Sequence, residues 1–191
     1  MHIFARIVVF ALLLSITIPY LVLSYPNGAG TCDVTAMSSQ GHGAPLTSGA
    51  GGFSLTLVNS TTASGSYSIT VKGPKSVKGL LLYTQDSKGT RTGNFVVPSK
   101  FQSKSCSGTG TNSLTHKDSS QKSLPLSFTW SPESGSATNI TARAIVVVSY
   151  SDWYQLSDLT FDPSSGFMEL ALKRQQVKAR TFAKTVGGFG Q

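Results

Sequence analysis

From Asn139 to Tyr150 the chain places Ile140, Ala142, Ala144, Val146, Val148 and Tyr150 on one side of an extended backbone, with Arg143 on the other. A period of two is the pattern of a half-buried strand, and it excludes a helix over the same residues. Phe53-Ser-Leu-Thr-Leu and Tyr67-Ser-Ile-Thr-Val repeat the pattern, with the β-branched and aromatic residues that suit a pleated surface. Leu124, Leu126, Phe128 and Trp130 alternate with Pro125, Ser127 and Thr129, which predicts a core position for Trp130. The runs Lys78-Gly-Leu-Leu-Leu-Tyr-Thr and Gly93-Asn-Phe-Val-Val are continuous rather than alternating, as expected of interior strands bounded by turn residues. With Leu114-Thr-His as an edge piece, the reading is all-β: an antiparallel sandwich of about seven to eight short strands joined by Ser-, Gly- and Asn-rich loops.

The segments on either side of this pattern have a different character. Arg6 precedes an apolar run from Ile7 to Leu23, and Val22 and Ser24 fit a signal-peptidase cut before Tyr25, so residues 1–24 are read as a signal peptide. Pro19 interrupts the run and counts against the alternative, an uncleaved membrane anchor. Residues 25–52 read as an extended, turn-rich lead into a domain spanning 25–156. Residues 157–191 read as a basic tail, disordered or weakly helical, and the C-terminus has no apolar signal for a glycolipid anchor. The expected location is therefore extracellular.

Two further features agree with that location. Cys32 and Cys106 are the only cysteines, and an even count in a secreted chain reads as one disulfide. The rival is a pair of free thiols in a metal or redox site, for which the spacing is far wider than Cys-x-x-Cys. Asn59-Ser60-Thr61 and Asn139-Ile140-Thr141 are acceptor sequons for N-linked glycan.

The formal charge is +8, and loss of Arg6 with the signal peptide leaves +7. Much of the excess is local, with Lys72, Lys75, Lys78, Lys88, Arg91, Lys100 and Lys104 against Asp86 alone. Such a stretch attracts polyanions at low salt, and these seven residues, with Tyr83 as a stacking partner, form the candidate binding set. A nucleic acid is not the expected partner of a secreted chain. The competing reading is that the lysines only keep the surface soluble.

Catalytic patterns are missing from the sequence: it contains no Gly-x-Ser-x-Gly, no His-Glu-x-x-His and no phosphate-cradling loop. No enzyme activity, cofactor or metal is expected. A metal-dependent oxidoreductase would have to use His42 and His116, the two histidines of the mature part.

Tyr25-Pro-Asn-Gly-Ala then Cys32, Gly41-His-Gly, Val77-Lys-Gly-Leu-Leu-Leu-Tyr and Gly93-Asn-Phe occur in an order that resembles the Reeler domain of reelin and F-spondin. Cys106, Leu114-Thr-His-Lys-Asp-Ser-Ser-Gln-Lys, Leu126-Ser-Phe-Thr-Trp-Ser-Pro and the run from Ile140 to Tyr150 continue the resemblance. It implies an immunoglobulin-like sandwich with Cys32 bonded to Cys106, and a binding module for anionic polysaccharide or a cell-envelope polymer. The alternative is a structural or effector protein that binds a protein partner through its loops.

Overall fold

The computed structural model describes residues 25–40, 42–44, 49–59, 65–106, 110–133 and 138–164. The expected signal peptide, the tail beyond Ser164 and the hydroxyl end of the Asn59 sequon lie outside the described residues.

Among the described residues, ten strands form two antiparallel sheets. In chain order they are β1 Ser54–Asn59, β2 Tyr67–Lys72, β3 Gly79–Gln85, β4 Asn94–Phe95, β5 Phe101–Ser103, β6 Ser113–His116, β7 Leu126–Ser131, β8 Ile140–Val147, β9 Trp153–Gln155 and β10 Leu159–Phe161. One sheet runs β1-β2-β7-β4; the other runs β10-β8-β3-β6-β5, with β9 also on β8. The alternating sets pack between them: Leu55, Ile69, Phe128 and Trp130 from the first sheet meet Leu80, Leu82, Leu114, Ala142, Ala144 and Val146 from the second. This is the expected immunoglobulin-like sandwich.

β3 explains why its sequence is a continuous apolar run. Leu80 and Leu82 face the sandwich core, whereas Leu81 and Tyr83 face outward into a second cluster with Val34, Met37, Ile145 and Trp153. A strand covered on both faces has no polar face to alternate with. The outer cover is the segment before β1. Within it Val34–Gln40 forms a short 3-10 helix where an extended chain was expected, started by Asp33 Oδ1 accepting the Thr35 N–H at 2.9 Å.

Several expectations are corrected. Leu114-Thr-His is not an edge: β6 lies between β3 and β5. Only Asn94 and Phe95 of the Gly93–Val97 run pair as a strand, and Val96 and Val97 are exposed. The long run from Asn139 leaves the sheet after Val147, where Val148 and Ser149 donate to the Asp152 carbonyl in a turn.

The domain also continues past the expected boundary at Leu156. β9 and β10 pair with the same strand, but Ile145↔Gln155 and Ala142↔Leu159 differ by one residue in register. One extra residue between them makes a bulge, which bends the chain while it stays on β8. Phe161 then packs edge-on against Trp130, ring centroids 5.3 Å apart, and the Tyr67 hydroxyl donates to the Pro163 carbonyl at 2.5 Å. Trp130, at 0% exposure, donates its indole N–H to Thr84 Oγ1 at 2.9 Å. Gly93 sits under that indole with φ +72°, and a Cβ there would stand 2.3 Å from the ring.

Because Phe161 closes this end of the core, Phe161→Ala should destabilise the domain by about 2 kcal/mol or more, scaled down from a fully buried ring. Urea unfolding followed by Trp fluorescence measures it; an unchanged midpoint would show that the chain beyond Leu156 is dispensable to the fold.

Candidate functional site

Residues 25–33 lie as a strap across the outer face of the six-stranded sheet. A strap on the face of a sheet cannot enter its ladder, so side chains must satisfy its backbone. Gln102 Nε2 donates to the Asn27 carbonyl at 2.5 Å and Lys104 Nζ to the Ala29 carbonyl at 2.7 Å. The Ala29 N–H donates to Thr115 Oγ1 at 2.7 Å, and Arg91 Nη2 donates to the Cys32 carbonyl at 2.6 Å. Cys32 and Cys106, 74 residues apart in sequence, are joined by the expected disulfide. Closing a loop of that length is worth about 4 kcal/mol on the chain-entropy account.

His116 belongs to the same fastening. Its Nε2 lies 3.1 Å from the Tyr25 carbonyl. Nδ1 lies 3.2 Å from both the N–H and the carbonyl oxygen of Leu80. Both ring nitrogens are committed. His42 directs Nδ1 to the Tyr150 carbonyl at 2.6 Å and stacks on the Tyr150 ring. The two histidines do line one cleft, but a metal would have to displace His116 from the strap. Among the described residues no three His, Cys, Asp or Glu side chains converge on a common point.

That cleft has a volume of about 590 Å³ and lies between the strap, the 3-10 helix and the sheet. Leu81, Ile145, Val147 and Met37 line it, and Lys78, Ser119 and Ser149 stand on it at one end of the sandwich. Sequence reasoning passed over it because its apolar residues alternate with core residues on the same strands.

The seven candidate basic residues do not form one face. Lys72, Lys75, Lys78 and Lys100 stand at the end of the sandwich where β2 finishes and β3 and β5 begin. Lys88 lies at the opposite end, in the turn after β3, where Asp86 Oδ1 accepts its N–H. Arg91 and Lys104 are turned inward as strap fasteners. Tyr83, 1% exposed, has Arg91 stacked on its ring at 3.2 Å, so it offers no face to a ligand.

The first end gains lysines that the charge run did not include. Lys117 donates its N–H to the Lys100 carbonyl at 3.1 Å, and extending the β3–β6 register from Leu81↔Thr115 brings Lys117 opposite Gly79, beside Lys78. Lys78, Lys100 and Lys117 therefore top three adjacent strands, within about 10 Å at ordinary strand spacing. The carboxylates nearby are already occupied. Lys75 pairs with Asp152 at 2.6 Å, and its ammonium holds the Asp152 carboxyl below the usual carboxylate range. Asp118 pairs with Lys122, whose side chain is 0% exposed and also donates to the carbonyls of Lys78, Asp118 and Ser120 at 2.8–3.1 Å. The Ser120 hydroxyl and N–H, then Lys122, hold Asp118 down at about 2.

The geometry is that of a two-sheet antiparallel sandwich with one disulfide and a strap laid face-on across one sheet. The model of the Reeler domain family matches residues 31–166, most of the chain, and the chain belongs to that family. The match runs beyond Leu156, as β10 does. No curated protein matches the chain. Among solved structures, the human F-spondin reeler domain (fragment 1) is similar at 14% identity and TM-score 0.47, covering 60% of this chain and 90% of that one. Fragment 2 of the same human domain is similar at 16% and 0.46, covering 62% and 92%. The Reelin-N domain of F-spondin is similar at 16% and 0.45, covering 60% and 87%. No helix among the described residues is long and apolar enough to cross a membrane.

Two measurements check this end of the domain. Lys122→Met keeps the apolar stem but strands three carbonyls, and should cost about 2–4 kcal/mol in chemical denaturation. Asp118, Asp33 and Asp152 all have depressed carboxyls, Asp33 chiefly through the Thr35 N–H. A depressed pKa gives stability that is complete above the unfolded value of 3.8 and lost as pH falls through the folded one. The thermal midpoint should therefore drop between about pH 4 and pH 2, less steeply in Asp118→Asn.

Proposed function

We propose that this protein is a secreted, non-enzymatic binding module that recognises anionic polysaccharide or another anionic polymer of a cell envelope through the lysine-bearing end of the sandwich. The observation that carries the reading is the register: Lys78, Lys100 and Lys117 are exposed just beyond the ends of three adjacent strands, while Asp118 and Asp152 beside them are each held by another lysine. Charges about a screening length apart reinforce one another toward a polymer, and Lys72 extends the patch along the first sheet. Arg91, Lys104 and Lys88 are left out of the contact, the first two because they hold the strap.

The leader read in the sequence and a disulfide of the kind an oxidising compartment forms support the secreted part of this reading. Asn139 is exposed immediately before β8, where a glycan projects into solvent; Asn59 ends the edge strand β1.

The test is retention of the disulfide-intact protein on heparin and on charged cell-wall polymers at two salt concentrations. Wild type should elute earlier at higher salt. The triple variant Lys78→Ser, Lys100→Ser, Lys117→Ser should bind at least about tenfold more weakly, whereas Lys88→Ser should match wild type. Equal retention of the triple variant would end the reading. A partner captured regardless of salt would favour protein binding through the loops.

A further inference from the structure

Half-buried Val147 on β8 and the exposed rings of Tyr25 and Tyr150 line an open cleft of about 590 Å³ that lies over the buried Leu81 and Ile145. That volume is in the range of sites that take a small organic ligand. Among the described residues, the ionisable side chains on its wall are Lys78, two histidines and two tyrosines, with no carboxylate. Lys78 is exposed at one end, and among the described residues it is in none of the three ion pairs. Tyr25 and Tyr150, 40% and 45% exposed, stand at the rim with apolar ring faces and polar tips.

We infer that the cleft is a binding site for a single-chain anionic amphiphile of the fatty-acid class. The apolar chain lies on Val147 and against the ring faces of Tyr25 and Tyr150, above the buried Met37, Leu81 and Ile145, and the carboxylate meets Lys78. An apolar floor with one cation at its end selects an elongated apolar body with an anionic head over a neutral or cationic one. The site does not require the polymer reading, since Lys100 and Lys117 are not on its wall.

The experiment titrates the whole disulfide-bonded protein by calorimetry with decanoate, decanol and decylamine, each below its micelle-forming concentration. Decanoate should bind at one site and decylamine at least about tenfold more weakly. Lys78→Ala should weaken decanoate by about fivefold and leave decanol unchanged. Val147→Phe should abolish binding of decanoate and decanol alike, with near-ultraviolet dichroism checking the fold. Ser149→Trp, an exposed change at the cleft wall, repeats the block without touching packed residues. Lys100→Ser with Lys117→Ser should leave decanoate binding intact even where polymer retention is lost, which separates the two sites. No heat from decanoate or decanol, equal affinity for decylamine, or undiminished binding in the folded blocking variants would overturn the inference.

Discussion

The strap's backbone has polar groups that the sheet beneath it cannot pair with, because a segment lying on the face of a sheet is out of line with its ladder. Everything distinctive on the outer face follows from satisfying them. Gln102, Lys104, Thr115, His116 and Arg91 each reach out of the sheet or its loops to a strap carbonyl or N–H, and the disulfide pins the strap's end. The strap and the 3-10 helix after it bury Leu81, Tyr83, Ile145 and Trp153, and what they leave uncovered is the cleft. The fastening also decides which charges are available, since a cation that donates to a buried carbonyl is part of the scaffold.

The sandwich was legible wherever side chains had to alternate. β2, β7 and β8 each carry at least three apolar residues at period two, and β1 does so once Phe53 just before it is included. β5, β9 and β10 are three residues long, too short to show a period, and they exist because a neighbouring strand supplies a ladder. β10 was hidden for a further reason: Leu159, Thr160 and Phe161 follow a bulge and sit in a polar stretch, and it is the packing of Leu159 and Phe161 on the core, Phe161 against Trp130 and Tyr67, that makes them part of it. The 3-10 helix was equally silent, since one turn capped by Asp33 needs no repeating pattern.

Less of the candidate site could be read. Charge along a sequence measures proximity in the chain, whereas a surface patch is assembled across strands. Lys117 joined Lys78 and Lys100 through register, while Lys104 and Arg91, inside the same run, left it. The burial of Lys122 had no sequence signal either; its role comes from three carbonyls converging at the loop after β6. Tyr83 looked like a recognition residue because aromatic rings near cations often are, but here the cation, Arg91, belongs to the same molecule.

The strap has a consequence for the life of the chain before it is finished. Until Cys32 meets Cys106, the cover over Leu81, Tyr83, Ile145 and Trp153 is held by side-chain hydrogen bonds and by the packing of Val34 and Met37. Each of these contacts can open and close on its own. The disulfide makes the attachment of one end permanent, so that the cover can loosen without being lost.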